Sequence, residues 1–127
     1  MKTIQKAVIK KGNQYLVLLR HDKAKFFPGH WEFPGGKLKV GEGQFEGVER
    51  EVVEETSLGV KALEVVGSYE IEVLGETYQF LIYSIKILSG EVNLSDEHVD
   101  YKWVTKEELL QMKTDPSIRL FFEEYSN

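Results

Sequence analysis

A run of acidic residues between Glu42 and Glu55 is the part of the sequence best equipped for chemistry. It holds six glutamates and a single arginine, Arg50. At about 100° of rotation per residue of an α-helix, Glu51, Glu54 and Glu55 fall on one face. If the run is helical, it therefore places three carboxylates side by side.

The spacing alone leaves two explanations of this acidic face open. Two carboxylates about 6 Å apart repel by under ~1 kcal/mol in bulk water, but by roughly 3 kcal/mol at an effective dielectric constant near 20. A solvated helix face tolerates such a cluster, whereas a cleft needs a cation to offset the repulsion. Hard divalent cations, Mg²⁺ above all, prefer oxygen ligands of this kind. The acids therefore fit either an exposed surface or a magnesium site.

The segments around the acidic run predict a mixed β-sheet flanked by helices. A helix is expected from about Gln44 to about Leu58, with an apolar stripe on one side. Gly12-Asn13 suits the turn of a hairpin, and the Pro-Gly-Gly of residues 34–36 suits a second turn. The predicted strands are "TIQKAVIKKG", "QYLVLLR", "WEF", "KALEVVGSYEIEVL", "ETYQFLIYSIKIL" and "YKWVT".

The carboxyl-terminal third predicts one strand covered on both faces, followed by two helices. The residues Tyr78–Tyr83 are apolar at alternating positions on both sides, which is typical of a strand between two layers of helix. Thr105 is expected to cap a short helix, with Glu108 at the capping-box position. Asp115-Pro116 is expected to start a last helix. The apolar residues on one face of that helix are Ile118, Phe121, Phe122 and Tyr125.

Length, composition and charge restrict the class of protein. The 127 residues suit one domain with a hydrophobic core, and the absence of cysteine excludes disulfide bonds and thiolate metal sites. The first residues carry no long apolar run, so a cytoplasmic protein without a membrane span is expected. The net charge of −5 (16 − 21) argues against a protein that coats nucleic acid polymers. A small anionic ligand stays possible, because a bound metal ion can reverse the local field.

The residues from Gly36 to Leu58 resemble the signature of the Nudix hydrolase family. Five residues separate Gly36 from Glu42, and seven more lead to Arg50-Glu51, after which "VVEETSL" completes the pattern. The preceding "WEFPGGK" is similar to the MutT branch of the family. The resemblance implies an α/β fold, the Nudix α/β/α sandwich with a mixed β-sheet flanked by helices, in a single domain of residues 1–127.

The resemblance also implies an enzyme that hydrolyses a nucleoside diphosphate linked to another group. Its cofactor would be Mg²⁺ or Mn²⁺, and its partner a small nucleotide rather than a nucleic acid polymer or a membrane, in a monomer or homodimer. Such chemistry needs charge neutralisation and a positioned water more than covalent catalysis. The metal ligands that the family pattern implies are Glu51, Glu54, Glu55 and the carbonyl oxygen of Gly36.

The resemblance implies a role for each of three further residues, and each has an alternative explanation. Arg50 would orient a glutamate by a salt bridge, or form an ordinary surface ion pair with Glu46 or Glu54. Glu42 is either an outer metal ligand or a turn residue. Glu97 lies in a loop from which MutT-like proteins can supply a metal ligand or a general base, so we expect a catalytic role for it. A solvated loop acid is the alternative, and Glu54 would then be the base.

Ser57 departs from the family pattern, which usually has glycine at this position. Glycine there would end the helix in a left-handed conformation. Serine in that conformation costs on the order of 1 kcal/mol. Two outcomes stay open: Ser57 adopts the left-handed conformation, or the helix continues and Gly59 caps it.

The sequence leaves the substrate and the substrate-binding residues undecided. "WEFPGGK" and the small size favour a MutT-like nucleoside triphosphate pyrophosphohydrolase that releases a nucleoside monophosphate and pyrophosphate, with an oxidised purine deoxynucleotide as one candidate substrate. The proline associated with ADP-ribose in some Nudix subfamilies is absent, since none lies between Pro34 and Pro116. One alternative is a nucleotide-sensing Nudix-like domain without catalysis, and another is a Nudix enzyme for a different dinucleotide or nucleotide sugar.

Overall fold

The computed structural model describes residues 1–124 of the chain, so Tyr125, expected on the apolar face of the last helix, lies outside the described residues. A mixed sheet and three helices make up the fold. In chain order the elements are β1 (Lys2–Lys11), β2 (Gln14–Arg20), β3 (Trp31–Glu32), β4 (Gly35–Lys37), α1 (Gln44–Thr56), β5 (Gly59–Val73), β6 (Glu76–Ser89), β7 (His98–Thr105), α2 (Lys106–Leu109) and α3 (Pro116–Glu124).

Strand β1 lies at the centre of the sheet and connects its two parts. It runs parallel to β6 and antiparallel to both β2 and β4, and the strand order is β3-β2-β1-β6-β5. Strand β7 pairs with β2 in antiparallel fashion. The parallel neighbour β6 follows only after α1 and β5, because a parallel pair needs a long crossover connection. This crossover carries the acidic helix across one face of the sheet.

Two hydrophobic clusters pack on opposite faces of the sheet. On one face Val48 and Val52 of α1 join Leu81 and Tyr83 of β6. On the other face Phe80 and Ile82 of β6 belong to a cluster that includes Ile118, Phe121 and Phe122 of α3. The alternation along β6 confirms the prediction of a strand covered on both sides and the α/β/α architecture.

Helix α1 ends two residues earlier than expected. It stops at Thr56, and Ser57 takes the left-handed conformation with φ of 67° and ψ of 7°. The Ser57 N–H donates to the carbonyl oxygen of Val53 at 2.9 Å, which closes the helix. Gly59 instead begins β5, so the first of the two expected outcomes at this helix end is correct.

Other element boundaries differ from expectation where pairing or packing decides them. The glycines of β4 were expected only in a turn, but β4 pairs with β1, with Gly36 opposite Gln5. Glycine has a low strand propensity, and only the neighbouring strand holds it extended. Strand β7 begins at His98 rather than Tyr101, because it pairs with β2 over its whole length. The capping box of Thr105 and Glu108 is confirmed.

None of the helices in residues 1–124 is both long enough and apolar enough to cross a membrane.

Candidate active site

A cavity of about 290 Å³ lies between the acidic helix, strand β4 and the loops that follow β2 and β6. Its walls differ sharply in character. The acidic part of its lining, here called the acidic wall, includes Glu51, Glu55 and Glu97, and the aromatic part includes the rings of Phe26, Phe27 and Phe80. A ligand of this cavity would therefore meet both carboxylates and aromatic rings.

Glu51 is placed in this cavity by direct contact between α1 and β4. Its carboxylate lies against the α-carbon of Gly36, in space that a side chain at position 36 would occupy. Burial raises the pKa of Glu51 above its usual value. The guanidinium of Arg50 opposes this shift in pKa, whereas the charges of Glu54 and Glu97 add to it. A positive charge beside Glu51 would therefore be favourable.

Glu55 is a nearly completely buried acid on the same helix. Its side chain accepts a hydrogen bond from the backbone N–H of Gly35 at 2.9 Å. Burial raises the pKa of Glu55 well above its usual value, and the negative charge of Glu32 raises it further. The site thus holds a carboxyl group whose ionised form is disfavoured in the metal-free protein.

Arg50 joins the acidic residues of the helix to the loop before it. It donates two hydrogen bonds to Glu42, at 2.6 and 3.0 Å, and lies 3.0 Å from Glu51 and 3.2 Å from Glu54. The hydrogen bonds from Arg50 are the main reason that the pKa of Glu42 is lowered to about 2. Glu54 is thus one ion-pair partner of Arg50, as expected, but Glu46 is not.

The predicted site residues divide into two groups by position. Gly36, Glu51, Glu55 and Glu97 all line the cavity. Glu54 does not line it, and its side chain is 56% exposed beside Arg50. The reason is the rotation of α1, which is fixed by burial of Val48 and Val52 against the sheet.

Glu97 reaches the cavity because the loop between β6 and β7 returns over the acidic helix. Helix geometry alone could not bring it there, since it lies 42 residues beyond Glu55 (97 − 55). The proximity is close enough for its charge to raise the pKa of Glu51. The fold therefore brings Glu97 to the acidic wall.

A buried group of charged residues lies next to the cavity, most of them in its lining, and sequence analysis missed it. Lys6 forms a buried ion pair with Glu32 and lies 3.5 Å from Asp115. Arg20 Nη1 and His98 Nε2 lie 3.0 and 2.7 Å from the other oxygen of Glu32. The one signal in the sequence is that Lys6 and Glu32 each interrupt an apolar strand.

Mutual charge compensation keeps Lys6 and Glu32 ionised in the interior. Burial by itself would raise the pKa of Glu32, but Lys6, the hydrogen bond with His98 and Arg20 lower it to about 2. Burial likewise opposes the charge on Lys6, yet Glu32 and Asp115 outweigh it, and the pKa of Lys6 is raised. These residues therefore form a fixed layer of charged side chains next to the acidic wall.

The donor set of the acidic wall suits a hard divalent cation, although its present arrangement does not yet form a coordination sphere. Within residues 1–124, no three histidine, aspartate or glutamate side chains converge closely enough to hold a metal ion. Arg50 instead pairs with Glu51 and Glu54. Carboxylate oxygens from Glu51 and Glu55 are the ligand type that Mg²⁺ and Mn²⁺ prefer, and burial at Glu55 favours a compensating charge.

The chain is similar to known proteins over nearly its whole length. A family model described as the NUDIX domain matches residues 6–125. The chain is 28% identical to the nucleoside triphosphatase NudI of Escherichia coli, over 94% of this chain and 95% of that protein. It is 31% identical to the MutT protein from Methanosarcina mazei Go1, with a TM-score of 0.89 over 98% of this chain and 92% of that one. The ORF135 protein of E. coli is 28% identical with a TM-score of 0.85, over 99% of this chain and 89% of that one.

Proposed function

The chain belongs to the NUDIX domain family and is a Nudix hydrolase of the MutT-like kind, and we propose that it converts nucleoside triphosphates to nucleoside monophosphates and pyrophosphate with Mg²⁺ or Mn²⁺. The observation that carries this proposal is the cavity, whose lining combines carboxylates with aromatic rings. A nucleotide has the same division, because its phosphates need cations whereas its base has apolar faces.

The acidic wall supplies the residues that would hold the cations. Glu51, Glu55 and the backbone of Gly36 line the cavity, and Glu54 lies beside them. Bound divalent cations would neutralise phosphate charge and lower the pKa of the attacking water. We assign Glu54 to the same ligand set, because rotation of its exposed side chain away from Arg50 costs little in water.

Arg50 has a positioning role in this proposal. Its guanidinium is anchored to Glu42 by two short hydrogen bonds while it also contacts Glu51 and Glu54. Because Glu42 fixes the arginine, the arginine in turn restrains both helix carboxylates near the cavity. Arg50 therefore compensates the repulsion between the acids, which bound cations would reduce further.

Glu97 is the proposed general base. A base must reach the attacking water within about 3 Å, directly or through one water molecule. Glu97 lines the cavity at the acidic wall and lies near Glu51. Its carboxylate is thus available to accept a proton from water at the place where the phosphates would lie.

The aromatic part of the cavity lining is suited to a nucleobase. Phe26, Phe27 and Phe80 offer ring surfaces. Asp115 also lines the cavity, and one of its carboxylate oxygens accepts a hydrogen bond from the Ser117 hydroxyl at 2.7 Å. The second oxygen faces Lys6 at 3.5 Å and is able to accept a further hydrogen bond. A volume of about 290 Å³ is at the lower end of small-molecule pockets and fits part of a mononucleotide. An oxidised purine deoxynucleoside triphosphate is one substrate to test.

Two other functions compete with this proposal. A nucleotide-sensing domain without hydrolysis would not need the full set of glutamates, which the chain retains. A Nudix enzyme for another dinucleotide or a nucleotide sugar would use the same acidic wall with a different second group. The related proteins named nucleoside triphosphatase NudI and MutT protein support the proposal of a nucleoside triphosphate substrate.

We also propose that residues 1–127 act as one domain, because both core clusters share one sheet.

The decisive experiment is a panel of nucleotides incubated with Mg²⁺, with separate detection of pyrophosphate and phosphate. We expect pyrophosphate from at least one nucleoside triphosphate, no activity in EDTA, and recovery when Mg²⁺ is added. Release from ADP-ribose, dinucleotides or nucleotide sugars alone would move the substrate to that class. Saturable nucleotide binding without any product would support the sensing domain, and full activity in EDTA would contradict the metal assignment.

A further inference from the structure

The loop between β6 and β7 is docked on the carboxyl-terminal end of the acidic helix. Residues 90–97 contain no helix or strand. The backbone N–H of Asn93 donates to the carbonyl oxygen of Thr56 at 2.8 Å, and that of Ser95 donates to Glu55 at 3.3 Å. The last turn of α1 therefore satisfies two of its free carbonyl groups with the loop that carries Glu97.

Ser57 adds a third bond between helix and loop. Its hydroxyl donates to the carbonyl oxygen of Asn93 at 2.9 Å. The same residue has the left-handed conformation, with φ of 67°, which glycine adopts without strain and serine does not. The chain thus carries a strained residue at a position where its side chain makes a contact that glycine could not make.

The other end of the loop is anchored in the buried charged group. His98 follows Glu97 directly, is 6% exposed, and places Nε2 at 2.7 Å from Glu32. Its Nδ1 atom has no hydrogen-bond partner among the described residues, so the contact with Glu32 is the hydrogen bond that orients the buried ring. Val92 and Leu94 also pack against the core cluster that contains α1. Glu97 therefore lies between two attachment points rather than at the tip of a free loop.

We propose that Ser57 is a positioning residue that holds the loop against α1, so that Glu97 is in place before substrate binds. This inference rests on the proposed function, in which Glu97 accepts a proton from water. A misplacement of about 1 Å at a reacting group can cost about 100-fold in rate, so fixing the loop in advance has a direct kinetic value. The hydroxyl of Ser57 acts on the reaction only through the position of Glu97.

Two substitutions separate the hydroxyl from the backbone strain. Both Ser57→Gly and Ser57→Ala remove the bond to Asn93, but only glycine relieves the left-handed conformation. We therefore expect a higher Tm for Ser57→Gly than for Ser57→Ala. If the loss of the hydroxyl loosens the loop, the loop should change equally in both variants. If a change in overall stability loosens it, the two variants should differ.

Hydrogen exchange of the metal-free protein tests the structural half of the proposal without any activity. The amides of Asn93 and Ser95 should exchange about 2- to 10-fold faster in both variants, which is the size expected from the loss of one hydrogen bond. The amide of Ala7, which donates to Pro34 in the sheet, is the internal control and should follow overall stability. Unchanged exchange at Asn93 and Ser95 in both variants would overturn the proposal whatever the enzyme does.

Kinetics test the functional half. In both variants kcat should fall about 2- to 10-fold with KM within about twofold, since binding of substrate does not depend on the base. In a Glu97→Gln background the same two substitutions should cause no further loss of kcat, because Ser57 acts through Glu97. Faster loop exchange with wild-type kcat, or an equal loss in the Glu97→Gln background, would overturn the positioning role. Wild-type activity of Glu97→Gln itself would instead contradict the proposed base.

Discussion

The carboxylate of Glu51 lies against the α-carbon of Gly36, in the space that the β-carbon of any other residue would fill. The two residues are fifteen positions apart (51 − 36) and belong to α1 and β4. Their contact brings a helix carboxylate and a strand backbone to one wall of the cavity. The glycine at position 36 is therefore a requirement of the site geometry and not of a turn.

This contact predicts that Gly36→Ala harms the site more than the fold. The added methyl group would displace the flexible end of the Glu51 side chain, so the free energy of unfolding should change by less than about 1 kcal/mol. Turnover should fall tenfold or more, because the displaced carboxylate is a proposed metal ligand. Urea unfolding and single-substrate kinetics measure the two effects.

The neighbouring glycine is the matched control. A β-carbon at Gly35 would collide with the backbone of Gln5, and its φ of 152° disfavours a side chain. Gly35→Ala should therefore lose several kcal/mol of stability, in the range of strained or overpacked substitutions. Wild-type turnover in Gly36→Ala would show that Glu51 is not needed where the structure places it.

Glu55→Gln should stabilise the metal-free protein while it abolishes most activity. Glutamine keeps the volume and the acceptor for the Gly35 N–H but removes a buried charge that burial and Glu32 disfavour. In EDTA at pH 7 we expect a higher Tm than in the wild type, and with Mg²⁺ a turnover lower by orders of magnitude.

The pH dependence of this stabilisation has a defined sign. Because the pKa of Glu55 is raised in the folded protein, the wild type loses stability as pH rises above the ordinary glutamate pKa. The advantage of Glu55→Gln should therefore be small near pH 4.5 and should grow with pH. Glu54→Gln is the control: its side chain is exposed, so its Tm in EDTA should stay close to that of the wild type while its turnover also falls. Turnover near wild type in both variants would contradict the assignment of Glu54 and Glu55 as metal ligands.

Glu97→Gln should lower kcat by roughly 10- to 1,000-fold with a smaller effect on KM, the usual size of an acid–base contribution. Glu97 lines the cavity, and its negative charge raises the pKa of Glu51. Asp96→Asn removes the adjacent charge and should do much less, since Asp96 is not among the residues that line the cavity. Equal, small effects from both substitutions would make Glu97 a solvated loop acid and direct attention to Glu54 as the base.

Glu32→Gln should destabilise the protein by about 3 kcal/mol at pH 7, because it removes the nearer of the two buried carboxylates that face Lys6. With the pKa of Glu32 held at about 2, its contribution is present above the ordinary glutamate pKa and is lost as pH falls from about 4.5 to about 2. The difference between the variant and the wild type should therefore shrink over that interval. Chemical unfolding at several pH values measures it.

An exposed ion pair provides the comparison for Glu32. Glu76 lies 3.9 Å from Lys2, and both side chains are more than half exposed. Glu76→Gln should change the free energy of unfolding by less than about 0.5 kcal/mol. A loss from Glu32→Gln as small as that from Glu76→Gln would mean that the buried group contributes little to the fold.

Local patterns in the sequence were sufficient for much of the fold. The hairpin at Gly12-Asn13, the acidic helix from Gln44 and the capping box at Thr105 each depend on residues close together in the chain. Helix periodicity and turn chemistry act over such short distances, so they can be read without the tertiary structure. The resemblance between Gly36 and Leu58 rests on the same kind of local information and indicated the family.

Only the tertiary structure decided which acids face the cavity. The sequence put Glu51, Glu54 and Glu55 on one helix face, yet Glu54 is exposed and Glu55 is buried, because packing of α1 on the sheet sets the rotation of the helix. The pairing of Lys6 with Glu32 depends on which strands lie side by side, which no short segment specifies. Glu97 is likewise far from α1 in the sequence, and its position depends on the hydrogen bonds that its loop makes with the end of α1 in the folded chain.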